Sequence, residues 1–150
     1  MHRLGPGDEW VLGHLARGNG RFGAGGGEDW LPPLGTEDAA EFVKDRDTIC
    51  VIAVEEGTDQ LCGFAYGGVL LRRHTWLKHV CLYEIGVDRD HKVSEVGMRL
   101  LEGFAAEARE MGIRRGFVVA QASNREIVDL YRDFGAAASA DVDLLFGLKF

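Results

Sequence analysis

Between residues 48 and 88 three apolar, strand-forming segments follow one another, and no other feature of the chain limits its fold so strongly. TICVIAVEE is nearly continuous in β-branched and apolar residues, which predicts a strand buried on both faces. QLCGFAYGGVLLRR follows after the turn Glu56-Gly57-Thr58-Asp59, so these two runs form a hairpin. HVCLYEIGVD is the third strand. RLGPGDEW opens the chain as a short strand, a turn and a helix start, with Asp8 placed to cap a helix reaching about Arg17. Thr36 is placed to cap a short helix that turns Ala39, Ala40 and Val43 inward.

Beyond the third strand a helix is expected from about Ser94 to Met111. Val96, Leu100, Phe104, Ala108 and Met111 share its inner face, and Glu102, Arg109 and Glu110 point to solvent. RRGFVVAQ reads as a strand, NREIVDLYRDFG as a helix ended by Gly135, and VDLLFGLKF as a final strand. The order βαα–βββ–α–β–α–β describes one mixed α/β domain over residues 1–150, with a central sheet.

Composition narrows the function. With 46% apolar and 27% charged residues the chain reads as a soluble globular protein. A net charge of −7 argues against a nucleic-acid partner and suits a cationic small molecule. No apolar run reaches the ~20 residues of a membrane span, and MHRLGPGDEW lacks a secretory h-region. Cys50, Cys62 and Cys81, an odd set in strand-like contexts, read as buried reduced thiols of a cytoplasmic protein. The five histidines show no metal-ligand spacing, so no metal is expected. No G-x-S-x-G or Cys–His nucleophile signature is present.

Two glycine-bearing turns must be told apart. GNGRFG (Gly18 to Gly23) matches G-x-G-x-x-G, yet it follows a helix and runs into more glycine and Pro-Pro. A dinucleotide turn must leave a strand and open a helix, so this one is read as a surface loop. HKVSEVGMRLL (His91 to Leu101) has that context. A helix start offers unpaired N–H groups and partial positive charge. Gly97 allows close backbone approach, and Arg89, Lys92 and Arg99 add positive charge. A plain helix start, with Ser94 as N-cap and Glu95 in the first turn, accounts for the same residues. In NREIVDLYRDFG, Asn124 and Tyr131 lie seven residues apart, on one helix face. A phenol there can protonate a leaving thiolate and an amide can hold a polar ligand chain. A helix cap and a half-buried packing aromatic would look the same.

Together these segments resemble the GNAT superfamily of acyl-CoA-dependent N-acetyltransferases. The likeness rests on the strand–turn–helix unit ending in HKVSEVG, on NREIVDLYRDFGA, and on the element order along the chain. RLGPGD, LYEIGVDRDH and VVAQA are similar to the aminoglycoside 3-N-acetyltransferase branch. The resemblance implies an α/β GNAT fold, with a central mixed, mostly antiparallel sheet flanked by helices. It also implies acetyl-CoA as cosubstrate and transfer of its acetyl group to an amine of a small cationic molecule, an aminoglycoside being the leading candidate.

Carried onto this chain, Ile85, Gly86 and Val87 would pair with the pantetheine arm. Lys92, Val93, Ser94, Glu95, Val96, Gly97 and Met98 would surround the diphosphate, and Asn124 would contact the CoA arm. Tyr131 would protonate the thiolate, and Glu84 would orient or deprotonate the amine, directly or through water. Glu28, Asp29, Asp141 and Asp143 are available to line a cleft for a polycation. The apolar ending DLLFGLKF permits pairing into a homodimer.

Two positions depart from the family pattern. Glu95 stands where the first glycine of the turn is expected. At ~6 Å and an effective dielectric of ~20, its charge would cost up to roughly a hundredfold in diphosphate affinity if nothing offsets it. Ser123 stands where the aminoglycoside branch has an aspartate. Three functions therefore stay open: an aminoglycoside acetyltransferase, an acetyltransferase for a polyamine or protein N-terminus, and a GNAT-fold binding module without catalysis.

Overall fold

Ile49 to Ala53 are all buried, as an unbroken apolar run requires, and they form the middle of β2 (Thr48–Val54). The computed structural model describes residues 1–23, 32–71 and 76–137. Within them β2 is flanked by β1 (His2–Arg3) and β3 (Leu61–Leu71), followed by β4 (Lys78–Val87) and β5 (Gly116–Val118). The order is β1-β2-β3-β4-β5, antiparallel as far as β4 and parallel between β4 and β5. The expected final strand, VDLLFGLKF, and the dimer contact it would make lie outside the described residues.

Alternation along β2 divides the core in two. Ile49, Val51 and Ala53 face one side, under α3 (Met98–Glu110) and α4 (Arg125–Asp133), and pack with Leu100, Leu101, Phe104 and Leu130. Cys50 and Ile52 face the other side, under α1 (Glu9–Arg17) and α2 (Thr36–Lys44), with Val11, Phe22, Val43 and Phe64. Each fully buried Leu, Val, Ile or Phe contributes roughly 1.5–3 kcal/mol. All three cysteines are free; Cys50 and Cys62 are buried, and Cys81 is partly so. Burial, followed by the charge of Glu84, pushes the Cys50 thiol up to about 12, where it is inert.

The hairpin turn closes as expected, with Glu55 N–H donating to Gln60 O at 2.8 Å and Gly57 at φ +88. Three helix starts differ from expectation. The Asp8 carboxylate caps nothing in α1 but turns back, accepting from Gly5 N–H at 2.9 Å and His2 Nε2 at 2.8 Å. Those two donors, brought close by β1 and its turn, outcompete the helix's own N–H groups. In α2 the cap position is Gly35 and Thr36 is the first helical residue. The long helix opens with a wide π turn, Val93–Gly97, and becomes α-helical only at Met98. Its cap position is Lys92, so Ser94 is inside the turn and caps nothing.

Candidate active site

β4 changes neighbours along its length. Val80, Cys81 and Leu82 pair with Gly116, Phe117 and Val118, and there β5 ends. One residue later β4 bulges. Leu82 faces Gly67 and Glu84 faces Tyr66, leaving Tyr83 without an opposite number. A bulge bends its strand and terminates pairing, so the β4–β5 ladder stops where β4 kinks. From there to Val87, β3 is the only strand beside β4 among the described residues. Asp88 N–H donates to Cys62 O at 2.8 Å. Counting back by twos, Gly86 and Glu84 turn their N–H and C=O groups to β3, while Ile85 and Val87 turn theirs to the open edge. An extended amide-bearing chain laid along that edge would find donors and acceptors at strand spacing.

The strand leads directly into the π turn. Glu95 and Val96 N–H groups both reach Lys92 O, at 3.1 and 3.0 Å. A lysine side chain has no acceptor and cannot cap, so Val93 and Ser94 N–H groups remain as the donors of this helix start. The glycine missing at position 95 is not demanded by backbone conformation, since Glu95 is not among the residues at positive φ. Its carboxylate is exposed and accepts from Lys92 Nζ at 2.8 Å. That hydrogen bond, with the Lys92 charge and then Arg99, holds the Glu95 carboxyl below its usual range. The pair is internally neutral: Glu95 repels an anion less than its charge suggests, and Lys92 attracts one less. Ser94, Glu95, Val96, Met98, Arg99 and Glu102 line a depression of about 550 Å³. Gly97 serves packing, because a Cβ there would meet Leu130 Cδ2 at 2.7 Å.

Through that contact the turn seats α4. Asn124 caps α4, its Oδ1 accepting from Ile127 N–H at 3.4 Å, which leaves the amide N–H₂ as the part able to hold a ligand. Gly135, at φ +95, ends the helix, with Ala136 N–H bonded to Tyr131 O and Gly135 N–H to Arg132 O, both at 2.9 Å. Tyr131 is 9% exposed, and burial pushes its phenol up, so it is protonated at neutral pH. It lines a cavity of about 1010 Å³ together with Leu82, Leu101, Phe104, Phe117 and Phe134. The β4–β5 divergence, the turn and Tyr131 thus converge on one side of the sheet.

Glu84 belongs to the other side. It pairs across the ladder with Tyr66, which packs with the α1–α2 core, whereas Tyr131 packs with the α3–α4 core. Glu28, Asp29, Asp141 and Asp143 lie outside the described residues. No cluster of three or more metal-binding side chains occurs among the described residues, and no helix there is long and apolar enough to cross a membrane.

An ion-pair clamp at the end of β4 has no counterpart in the sequence reading. Arg21 Nε and Nη2 donate to Asp88 Oδ2 and Oδ1 at 2.8 and 3.0 Å, and Nη2 also donates to Asp90 at 2.9 Å. Arg89 N–H donates to Arg21 O at 2.9 Å. Asp88 is 2% exposed, and its hydrogen bonds from Arg21 hold the carboxyl below the usual range against the opposing effect of burial. The glycine-rich loop is therefore not a free surface loop in this part. Its Arg21 fastens it to the strand end from which the π turn departs, and its Phe22 lies against Gly86, where a Cβ would meet Phe22 O at 2.9 Å. The 67-residue separation of Arg21 from Asp88 gave no local signal; only the unusual pairing of Asp88 and Asp90 after an apolar strand hinted at a partner.

Residues 20–136 match the model of the acetyltransferase (GNAT) family. The chain belongs to that family. As a GNAT acetyltransferase it is an acetyl-transferring enzyme whose acetyl donor is acetyl-CoA. No curated protein sequence matches it. Its fold is similar to that of aminoglycoside acetyltransferase HMB0005 from an uncultured soil metagenomic sample, at TM-score 0.84 and 18% identity over 99% of this chain and 96% of that one. Aminoglycoside acetyltransferase meta-AAC0020, also from a soil metagenomic sample and solved with sisomicin, gives TM-score 0.79 at 16% identity, with 99% and 95% covered. The ribosomal-protein-alanine N-acetyltransferase of Brucella melitensis biovar Abortus 2308 gives 0.67 at 20%, with 97% and 98% covered. At these identities the likeness is one of fold.

Proposed function

We propose that this GNAT enzyme moves the acetyl group of acetyl-CoA to a primary amine of a small cationic molecule, with the 3-N position of an aminoglycoside as the leading acceptor. The observation that carries it is the run from the open β4 edge at Ile85 and Val87 into an N-terminus without a side-chain cap, on the side of the sheet whose core holds Tyr131. Acetyl-CoA would supply an activated thioester, so the protein has to orient, polarise and move protons. Ile85 and Val87 would hold the pantetheine arm and polarise the acyl carbonyl through an N–H, while Gly86 between them makes room for Phe22 and Phe64 on the other face. Lys92 to Met98 would hold the diphosphate, chiefly by Val93 and Ser94 N–H groups, and Asn124 would hold the arm by its amide.

Glu84 would take one proton from the ammonium, directly or through water, freeing the lone pair that forms the N–C bond. As the C–S bond breaks, Tyr131 would protonate the departing sulfur, and the second proton that the amine nitrogen sheds as the amide forms would restore the phenol through solvent. A buried phenol is a weaker acid than a thiol, so this proton moves with bond cleavage and not before it. Glu28, Asp29, Asp141 and Asp143 would line the acceptor cleft. Residues 1–150 would act as one cytoplasmic domain, pairing through the apolar C-terminal segment DLLFGLKF.

The internally neutral Lys92–Glu95 pair leaves the acyl donor to be held chiefly by backbone N–H groups, so the proposal turns on the acceptor. A CoA-release assay against an amine panel including aminoglycosides tests it. Turnover with an aminoglycoside supports the proposal, turnover only with another amine replaces the acceptor, and no turnover with any amine overturns it.

A further inference from the structure

We propose that Tyr66, Tyr83 and Glu84 form the acceptor's seat, taking a primary ammonium carried on an apolar or CH-rich face. The ammonium would lie against the two phenol rings with its charge towards the Glu84 carboxylate. This rests on the acetyltransferase function above and names the chemistry of its amine.

The seat is a product of the bulge. In a regular strand Tyr83 and Glu84 would point to opposite faces. Here Glu84 is the direct cross-strand partner of Tyr66, and the Tyr83 ring also lies against Tyr66, with centroids 5.7 Å apart and planes at 69°. Two consecutive residues of β4 therefore stand on the face that Tyr66 occupies. Phe42 of α2 also lies against Tyr66, with ring centroids 5.3 Å apart. Tyr83 is 74% exposed, so an incoming molecule can reach it.

Electrostatics agree with the geometry. The Tyr66 phenol is pushed up first by burial and then by Tyr83, Cys50, Glu84 and Asp45. Glu84 and Asp45 thus both place negative charge within reach of the Tyr66 hydroxyl. Aromatic faces attract ammonium groups through the ring quadrupole, more strongly when water is partly excluded, as at half-buried Tyr66. The seat also adjoins Ile85, the first residue of the open edge, so an amine held there is next to the strand proposed to hold the acyl group. An arylalkylamine or an amino sugar offers the required face beside its ammonium.

The test is to assign the ring resonances of Tyr66 and Tyr83 by NMR and titrate the protein at millimolar concentrations with phenethylamine, neutral phenylethanol and sisomicin. Shifts of both rings with phenethylamine, and none with phenylethanol, are expected if the source is an arylalkylamine; shifts with sisomicin are expected if it is an amino sugar. Equal shifts with the alcohol, or no shift of these rings with either amine, overturn the seat. Tyr83→Leu should weaken the shifting amine roughly fivefold, and Tyr83→Phe should not, because phenylalanine keeps the π face. Equal affinity of these two variants also overturns it. Calorimetry with acetyl-CoA alone is run in parallel: acetyl-CoA binding with unmoved rings sinks the seat only, and ring shifts without acetyl-CoA binding sink the donor site only.

Discussion

On the α3–α4 side of the sheet, the candidate site is made from two contiguous segments, residues 92–98 and 124–136. On the α1–α2 side it is made from parts scattered along the chain: Arg21 and Phe22, Phe42, Tyr66, Tyr83 and Glu84, and Asp88. The first side offers backbone N–H groups and one buried phenol, chemistry that many side chains could frame. The second offers rings and carboxylates, chemistry that belongs to this chain's own residues. The proposed donor site and the proposed acceptor seat thus sit back to back across β4, joined at its bulge. The difference suggests that changes on the first side alter donor affinity and thiolate protonation, and changes on the second alter acceptor choice, amine deprotonation at Glu84 and the anchoring of the strand end.

The largest expected effect is on the donor side. Tyr131→Phe keeps the buried ring and removes the proton, so kcat should fall by ~10²–10³ with acetyl-CoA affinity unchanged. Single-turnover kinetics and calorimetry read the two separately. Loss of both together would make Tyr131 a packing residue. Gly97→Ala comes next. The added methyl would meet Leu130, and overpacking of this kind costs ~1–3 kcal/mol. A Tm lowered by several degrees and weaker acetyl-CoA binding are expected, since α4 and the turn move together; an unchanged Tm would mean that Leu130 gives way freely.

The clamp on the other side has a pH signature. The Asp88 carboxyl is depressed in the folded state, chiefly by hydrogen bonds from Arg21. Its stabilisation is therefore full above the ordinary aspartate range of ~3.9 and is lost as pH falls through the lower folded value. Arg21→Gln should lower Tm at pH 7, on the order of 5 °C, and shrink the difference at acid pH. A Tm difference that stays constant from pH 7 to strongly acid conditions would break the linkage. The smallest effect is expected at Glu95. With its charge paired to Lys92, Glu95→Gly should tighten acetyl-CoA binding by less than tenfold, not the hundredfold of an unpaired charge, and Lys92→Ala should weaken it more than Glu95→Gly tightens it.

The same contrast explains what could be read beforehand. Strands β2 to β4, the long helix and the Gly135 stop were legible because each is written locally, in periodicity or a single turn residue. The turn at 92–98 and the Asn124–Tyr131 pair were legible for the same reason. The Tyr83 bulge was not, because it depends on how β4 registers against β3. The Arg21–Asp88 clamp was not, because it closes a long loop between distant segments. Asp8 and Ser94 look like caps by residue type, but His2 and Gly5 claim the first, and a turn beginning at Lys92 engulfs the second. Side-chain hydrogen bonds of short reach go to whichever donor the tertiary fold brings nearest.

Amide hydrogen exchange with and without acetyl-CoA tests the joined arrangement most directly. Protection should appear at the N–H groups of Ile85 and Val87 on the open edge and at Val93 and Ser94 in the turn, while Gly86, already bonded to β3, changes little. Binding that leaves those four amides exchanging as before, or that protects the glycine-rich loop in their place, would contradict a donor site at the open end of β4.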